Sequence, residues 1–351
     1  MEIKNIVKYL KEYRGPQLKI MEVCGTHTSA IFKAGIRDLL PPEIKLVSGP
    51  GCPVCVTPSG YIDKCVEYAS RSNHVVLSFG DMLKVPGTES SLFEAKSLGG
   101  RVEVMYSAAE ALMKAEKHQD TVYVVAAVGF ETTVPSYALT LKEANSRNLT
   151  NIRMVTALKS AEPAIEWILA KGADISGFIC PGHVSAVTGT AGYERMSRKY
   201  GKPFVVAGFE GEDVLAAIYA IVRLLERDAK FMNLYPSVVR QAGNGKAKAL
   251  IDECFVAGET AWRGFGVLAG SGFRLREEYA RFDAGAWMSY NDAADDAPRG
   301  CRCSDVLMGR IDPAECPLFA RECDLQTPIG ACMVSAEGAC GIWRRNMRRE
   351  F

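Results

Sequence analysis

Two cysteines with the spacing Cys-X-X-Cys, Cys52 and Cys55, lie in the proline- and glycine-rich stretch SGPGCPVCVTP. Two thiols at this spacing can close a small disulfide, and such motifs sit at accessible turns where the pKa of the thiol is lowered. The same spacing also supplies half of a zinc site. Proline inside the motif and Gly-Pro-Gly before it predict a rigid turn. The spacing supports redox chemistry and metal binding equally, and a purely structural role less well.

A cysteine and a histidine lie close together in the stretch EVCGTHT, at Cys24 and His27. Such a pair can bind one soft metal ion, or the histidine can activate the cysteine as a nucleophile. Combined with Cys52 and Cys55, the pair would complete a zinc site of three cysteines and one histidine. The alternative is a core cysteine beside a histidine that caps the next helix. Glycine between the two favours an exposed loop and therefore a functional role.

Two weaker candidates follow apolar runs, Glu131 in GFETT and His183 in CPGHV. Glu131 is a candidate general base, whereas Thr132 and Thr133 are expected to cap the helix that follows. His183 is either functional or a buried structural histidine. No phosphate-binding glycine motif follows these runs, so a tightly bound nucleotide is not indicated.

The C-terminal region carries the strongest chemical signal, because six of the twelve cysteines lie within its last fifty-one residues. Six thiols are too many for one zinc ion. A [4Fe–4S] cluster takes four cysteines and leaves two, and a dithiol beside a cluster can exchange electrons with it. A zinc-stapled or disulfide-stapled lobe is the alternative, although a reducing cytosol argues against the disulfides. The six cysteines are Cys301, Cys303, Cys316, Cys323, Cys332 and Cys340.

Eight apolar runs alternate with helical patterns and predict an α/β protein with parallel sheets covered on both faces. We expect two such sheets, with the change from one to the other near Lys117–Tyr123. A third unit, poorer in regular structure, is expected from Phe231. The predicted domains are 1–120, 121–230 and 231–351. The runs are LKIMEV, IKLVSG, HVVLSFG, RVEVMY, VYVVAAVGF, IRMVTA, ISGFIC and PFVVAGF.

The candidate residues follow the ends of these runs. Cys24, Cys52, Glu131 and His183 each lie within a few residues of the end of an apolar run. Ligands of open parallel sheets bind beyond the carboxyl ends of the strands. The four turns are therefore expected to converge on one cleft.

Composition excludes several classes of function. The chain has 351 residues, 48% of them hydrophobic, and a formal net charge of +1. Nucleic-acid binding would need a basic stripe, and a membrane span needs about 20 apolar residues; neither feature is present in the sequence. The first residues, MEIKNIVKYLKEY, lack the apolar core of a signal peptide. The sequence therefore predicts a cytoplasmic protein that binds neither nucleic acid nor membrane.

Five motifs together resemble, in order along the chain, those of the HypD family of [NiFe]-hydrogenase maturation proteins. They are EVCGTHT, SGPGCPVCVTP, GFETT, CPGHV and CPLFAREC followed by ACMVSAEGAC. The resemblance implies two Rossmann-like α/β domains around a cleft, plus a smaller cysteine-rich lobe holding a [4Fe–4S] cluster, similar to ferredoxin–thioredoxin reductase. It implies a scaffold on which the Fe(CN)2CO unit of the hydrogenase is assembled transiently. A HypC-type chaperone and a HypE-type cyanide donor are the implied partners.

The resemblance also assigns roles to residues. Cys24 is the implied thiolate for the iron of Fe(CN)2CO, with His27 close by, and Cys52 and Cys55 are the implied redox pair. Glu131 and His183 are expected to position ligands or carry protons. The implied cluster ligands are Cys301, Cys316, Cys323 and Cys340, which leaves Cys303 and Cys332 as the dithiol beside the cluster.

Two other functions remain open at this point. A stand-alone iron–sulfur disulfide reductase would use the same cluster and the same Cys52–Cys55 pair without needing Cys24. A zinc-stapled binding module would have no redox role. The leading expectation is a redox-active maturation factor rather than a conventional multiple-turnover enzyme.

Overall fold

The computed structural model of the chain describes residues 2–228, 230–285 and 298–347 and has an α/β architecture. The strands are β1 Leu18–Glu22, β2 Ile44–Ser48, β3 His74–Ser78, β4 Val102–Val104, β5 Val122–Gly129, β6 Ile152–Leu158, β7 Gly177–Pro181, β8 Phe204–Ala207, β9 Phe231–Asn233, β10 Phe255–Trp262 and β11 Gly266–Leu275. The helices are α1 Ile3–Lys11, α2 Gly25–Lys33, α3 Ile36–Leu39, α4 Ser59–Ala69, α5 Leu92–Ser97, α6 Glu110–Lys117, α7 Val134–Ser146, α8 Ala161–Ala170, α9 Gly182–Thr188, α10 Ala191–Tyr200, α11 Gly211–Leu225, α12 Gly245–Cys254, α13 Cys303–Leu307, α14 Ala331–Val334 and α15 Ala339–Asn346. Short 3-10 helices are Gly80–Met82, Glu277–Phe282 and Pro313–Glu315.

All eight predicted strands form, and they build two parallel sheets. Sheet A has the order β2-β1-β7-β8-β9, and sheet B has the order β4-β3-β5-β6. The pairing within each sheet is parallel throughout. In β5, seven consecutive residues from Tyr123 to Gly129 are buried, as expected of a strand covered on both faces. The predicted α/β class with two Rossmann-like sheets is confirmed.

The strands are divided between the sheets differently from the expectation. Strands β3 and β4, before Lys117–Tyr123, pair with β5 and β6 after it, whereas β1 and β2 pair with β7. The segment that forms sheet B, β3 to β6, therefore lies in sequence between β2 and β7 of sheet A. Alternation of strands and helices does not specify which strands become neighbours, because hydrogen-bonded pairing depends on contacts distant in sequence. The predicted domain limits, 1–120, 121–230 and 231–351, remain a prediction.

Helices cover the sheets with apolar faces. In α11, Val214, Ile218 and Ile221 recur at helical spacing and are fully buried. The helix packs on β7 and β8, and α1 packs on α11. Its first turn is stabilised by the backbone N–H of Glu210, which donates to the carboxylate of Asp213 at 3.1 Å. This packing leaves the carboxyl ends of the strands of sheet A to carry the turns with the candidate residues.

An antiparallel hairpin, β10 paired with β11, follows α12 and was not predicted. Its two strands, FVAGETAW and GVLAGSGFRL, together contain four glycines, and glycine lowers strand propensity. Tertiary packing compensates, because Trp262 at the end of β10 is fully buried. The region 298–347 consists of short helices and loops, as expected for the cysteine-rich unit.

In the part of the chain that the structure describes, every helix is too short or too polar to cross a membrane.

Candidate functional site

Three of the four predicted turns leave neighbouring strands of sheet A. Strands β2, β1 and β7 are adjacent and parallel, so their carboxyl ends meet at one edge. The turn after β2 packs directly on the turn after β1: a Cβ atom on Gly51 would lie 2.3 Å from the backbone nitrogen of Cys24. The Cys-X-X-Cys loop and the Cys24 turn are therefore in contact. The fourth turn, with Glu131, leaves β5 in sheet B.

This close approach requires glycine at position 51, which can be tested by substitution. We expect Gly51→Ala to lower the free energy of unfolding by about 1–3 kcal/mol, the usual cost of overpacking a well-packed site. The neighbouring atoms are backbone atoms of Cys24, which cannot rotate away. Urea unfolding measures the loss. Gly245→Ala is the matched control, since no atom lies within 4 Å of its Cβ position; equal losses in both variants would show that the contact with Cys24 is unimportant.

Cys24 lies at the amino end of α2 and is held by a carboxylate that the sequence analysis did not single out. Glu22 accepts a hydrogen bond from the backbone N–H of Cys24 at 3.0 Å. It also accepts one from the hydroxyl of Thr28. Burial raises the pKa of Glu22 to about 7. The sequence does contain an indication of this role: Glu22 is a glutamate inside the apolar run LKIMEV, and a charged residue in a buried strand needs partners.

The predicted exposed loop around Cys24 is instead buried, with Cys24 only 4% exposed and His27 fully covered. The C-terminal region covers it: a Cβ atom on Gly25 would lie 2.3 Å from the backbone oxygen of Glu337. Glycine is needed here for this close contact and not for exposure. Burial also raises the pKa of Cys24 to about 12, so the thiol keeps its proton in the absence of a cation.

Two histidines lie beside Cys24. His183, in the first turn of α9, has its Nε2 atom 3.9 Å from Sγ of Cys24. The ring of Phe209 packs on both histidines, with centroid distances of 4.8 Å to His27 and 4.9 Å to His183. The structure thus brings Cys24, His27 and His183 together, as predicted for strand ends that share an edge.

The tautomer of His27 follows from its hydrogen bond. Its Nε2 lies 2.8 Å from the carbonyl oxygen of Gly208, which can only accept, so Nε2 carries the proton. Burial lowers the pKa of His27 to about 4, which keeps the ring neutral near pH 7. Nδ1 is buried and has no hydrogen-bond partner in the described structure. A neutral imidazole with an unprotonated nitrogen is the form that binds metals.

Cys52 and Cys55 face each other, with their Sγ atoms 2.6 Å apart. The backbone N–H of Cys55 also donates to Sγ of Cys52 at 3.3 Å. Both side chains are buried, contrary to the accessible turn that the motif suggested. Burial, followed by the nearby thiol of Cys332, raises the pKa of Cys55 well above its ordinary value. The proximity of Cys332 links the Cys-X-X-Cys loop to the C-terminal region.

The six C-terminal thiols form one group. The nearby thiols of Cys303, Cys340 and Cys55 lower the pKa of Cys332 well below the usual value, Cys303 most strongly. The backbone N–H of Cys340 also donates to Sγ of Cys332 at 3.4 Å. Burial raises the pKa of Cys301 to about 11, and Cys316, Cys332 and Cys323 add to that effect through their charges. Cys301 is partly exposed, whereas the other five are buried.

This group fits a cluster in its donor chemistry. Soft thiolates are the donors of iron–sulfur clusters, and N–H groups commonly point at their sulfurs. The N–H of Ile329 donates to Cys323 at 3.4 Å, and a Cβ atom on Gly330 would lie 2.9 Å from Sγ of Cys301. Across residues 2–228, 230–285 and 298–347, no three Cys, His, Asp or Glu side chains are arranged around one metal ion. A cubane differs from such a site, because each of its four thiolates binds a separate iron.

Glu131 lies apart from these contacts and holds the start of α8. Its Oε1 accepts hydrogen bonds from the hydroxyl of Ser160 at 2.6 Å and from the N–H of Ala161 at 3.0 Å. Its Oε2 is buried without a hydrogen-bond partner among the described residues.

Thr133 stands at the amino end of α7 but makes no side-chain cap, so the expected threonine cap is wrong at that position. Thr133 packs on the Cα of Gly129 instead.

The buried Glu131 carboxyl predicts a pH dependence of stability. Burial raises its pKa from 4.5 to about 7. Between these values the unfolded chain loses this proton while the folded chain keeps it, so stability falls as the pH rises. The resulting loss in the free energy of unfolding is complete above pH 7 and amounts to about 3 kcal/mol.

Glu131→Gln keeps an oxygen acceptor and cannot ionise. We therefore expect its free energy of unfolding to exceed that of the wild type by about 3 kcal/mol more at pH 8 than at pH 4. Urea titrations across this range measure the difference. The exposed Glu226 provides a control, Glu226→Gln, that should follow the wild type. A Glu131→Gln curve parallel to the wild type would contradict the buried protonated carboxyl.

Three other residues near these turns, two of them charged, were not predicted from the sequence. Lys159 is fully buried, and its Nζ lies 5.1 Å from the ring centroid of Trp262. Burial lowers its pKa to about 7. Arg263 is 3% exposed, and Phe209 packs on both histidines. A lysine at the end of the apolar run IRMVTALKS was a usable signal, whereas nothing in the local sequence of Arg263 or Phe209 indicated burial.

The fold and the site define a class: an α/β protein whose parallel strands end at a buried cysteine–histidine group joined to a C-terminal thiol group. Comparison with known proteins narrows this class. A family model described as HypD, "Hydrogenase formation hypA family", matches residues 1–347. The chain belongs to the HypD family of hydrogenase maturation factors.

Individual relatives agree with this assignment. The hydrogenase maturation factor HypD of Escherichia coli is 42% identical over 338 residues, which cover 95% of this chain and 90% of the relative. HypD of Azotobacter vinelandii is 41% identical over 336 residues, covering 93% and 89%. HypD of Cupriavidus necator is 40% identical over 338 residues, also covering 93% and 89%. Each similarity extends over nearly the whole chain.

Proposed function

We propose that this protein is the scaffold on which the Fe(CN)2CO unit of [NiFe]-hydrogenase is assembled, with Cys24 as its ligand to the iron. The observation that carries the proposal is the group of Cys24, His27 and His183, in which Cys24 and His27 are buried and His183 is exposed on one side. Cyanide and carbon monoxide bind low-valent iron because filled metal orbitals donate back to them, and a soft thiolate suits such an ion. Burial of Cys24 and His27 limits access of water to the cargo.

Loading of the iron requires a proton to leave Cys24. His183 can receive it once the iron cation stabilises the thiolate, because its Nε2 lies 3.9 Å from Sγ of Cys24 and its lowered pKa leaves the imidazole neutral. His27 is neutral and offers Nδ1 on the same turn. A HypC-type chaperone and a HypE-type cyanide donor are the proposed partners. The twelve free thiols accord with a reducing, cytoplasmic location.

A relay of thiols supplies reducing equivalents to the Cys52–Cys55 pair in this proposal. The thiolate of Cys332 attacks Sγ of Cys55 in a Cys52–Cys55 disulfide; the bond between Cys52 and Cys55 breaks, and Cys52 leaves as a thiolate. Cys303 then attacks Cys332 and releases Cys55. The Cys52–Cys55 pair gains two electrons and two protons, and Cys303–Cys332 becomes the disulfide. The proximity of Cys332 to both Cys55 and Cys303, which alters the pKa of each of these thiols, supports this order.

Cys301, Cys316, Cys323 and Cys340 would hold the [4Fe–4S] cluster. When bound, such a cluster supplies single electrons to the neighbouring dithiol. The chain itself contributes the thiolates, the N–H donor of Ile329 and the burial of the dithiol.

The proposal is tested by metal analysis, Mössbauer spectra and infrared spectra of anaerobically isolated protein, alone and with a HypC-type chaperone. We expect about four irons in the cluster environment and a further iron with cyanide and carbonyl bands. Colourless protein with stoichiometric zinc would instead identify a zinc-stapled module. A cluster without a further iron, combined with turnover of a disulfide substrate, would identify a stand-alone reductase.

A further inference from the structure

The turn between β10 and β11, residues 262–265, lies between the two thiol pairs and has no part in the relay described above. One side of this hairpin turn contacts the segment just after Cys55. The backbone N–H of Arg263 donates to the carbonyl oxygen of Val56 at 2.9 Å, and its Nε donates to that of Thr57 at 2.7 Å. Its Nη2 donates to the carbonyl oxygen of Pro86 at 2.9 Å. A rigid, buried guanidinium thus ties the hairpin turn to the Cys-X-X-Cys loop.

The other side of the hairpin turn contacts the residue after Cys303. Gly264 has φ +77°, and a Cβ atom on it would lie 2.5 Å from Cβ of Ser304. Ser304 lies in the first turn of α13, which begins at Cys303. A side chain at position 264 would therefore push α13 away from the hairpin. Because α13 packs on α15 and α15 packs on α14, which carries Cys332, the displacement would reach both Cys303 and Cys332.

We propose that the hairpin turn sets the spacing between the two thiol pairs, with Arg263 and Gly264 as positioning residues for exchange between Cys55 and Cys332. The inference rests on the thiol relay of the proposed function. Thiol exchange needs the attacking sulfur aligned with the disulfide, and a misplacement of about 1 Å can cost about 100-fold in rate. The hairpin turn is the element that contacts both the residues after Cys55 and the residue after Cys303.

The test measures the Cys55–Cys332 link directly in the full-length chain. Cys52→Ser and Cys303→Ser are introduced together, so that one thiol of each pair remains. Diamide then accepts two electrons and two protons from Cys55 and Cys332, and a single S–S bond forms between them. Mass spectrometry of linked peptides follows the rate. Adding Gly264→Ala is expected to slow formation of this link about 100-fold.

Matched variants separate spacing from general damage. Gly266→Ala has the same left-handed strain, at φ +79°, but no atom lies within 4 Å of its Cβ position, so it should keep the parent rate. Ser304→Gly removes the clashing Cβ and should restore most of the rate in the Gly264→Ala chain. Arg263→Lys, which cannot reproduce the planar fork of hydrogen bonds, should show an intermediate loss.

Three results would overturn the inference. Linking at the parent rate in Gly264→Ala would show that the contact with Ser304 does not set the spacing. An equal loss in Gly266→Ala, or no rescue by Ser304→Gly, would assign the effect to hairpin strain. If the parent chain itself forms no link, the relay is wrong and the positioning role falls with it. The first two results contradict only the positioning role, whereas the third contradicts the relay, so the two failures can be distinguished.

Discussion

Cys24→Ala is expected to remove the cyanide and carbonyl infrared bands of the iron cargo while leaving the C-terminal cluster in place. Removal of a residue that only orients a metal ligand typically lowers metal affinity about 10–100-fold. Removal of the ligand itself should therefore lower affinity for the iron by more than about 100-fold. No other thiol takes its place readily, because Cys52 and Cys55 are directed at each other. Infrared and Mössbauer spectra of the same anaerobic preparation measure cargo and cluster separately.

Cys254→Ala is the matched control for this loss. Cys254 is also fully buried, but its Sγ lies 3.4 Å from the carbonyl oxygen of Ala138, against sheet B and α7. Its removal should leave the infrared bands unchanged. Retention of the bands in Cys24→Ala would show that the iron has another ligand, whereas loss of both cargo and cluster would point to a general folding defect.

Cys332→Ser is expected to slow reduction of the Cys52–Cys55 disulfide by at least about 1,000-fold, because well-oriented intramolecular groups reach effective molarities of about 10⁵ M or more. An external thiol at millimolar concentration cannot match that value, and both target cysteines are buried. The oxidised protein is treated anaerobically with dithionite, and free thiols are alkylated at intervals. Mass spectrometry then reports the oxidation state of the pair.

Cys65→Ala controls for loss of a buried thiol, since Cys65 lies in α4 and is fully buried. We expect it to reduce the Cys52–Cys55 pair at the wild-type rate. Reduction at that rate in Cys332→Ser would mean that electrons reach Cys55 by a route outside the proposed relay. A Cys303→Ser chain should stop one step later, with Cys55 still linked to Cys332.

Much of the fold followed from short-range patterns. Burial on both faces makes a parallel strand nearly continuous in apolar residues, so each of the eight runs could be recognised locally. The hairpin of β10 and β11 could not, because its glycine-rich strands are stabilised by packing around Trp262. Strand order also escaped prediction, since β1 pairs with β7 across more than 150 residues.

The cysteines, their motifs and the position of Cys24 and Cys52 after strands were readable in the chain, because residue type and local spacing carry that chemistry. Other properties arose only on folding. Burial of Cys24 beneath the C-terminal region, the partnership of Cys55 with Cys332 and the placement of Arg263 between the thiol pairs all depend on segments far apart in sequence. The protonation states also depend on folding. Desolvation by distant elements, absent from any local motif, keeps His27 neutral near pH 7 and raises the pKa of Glu131 to about 7.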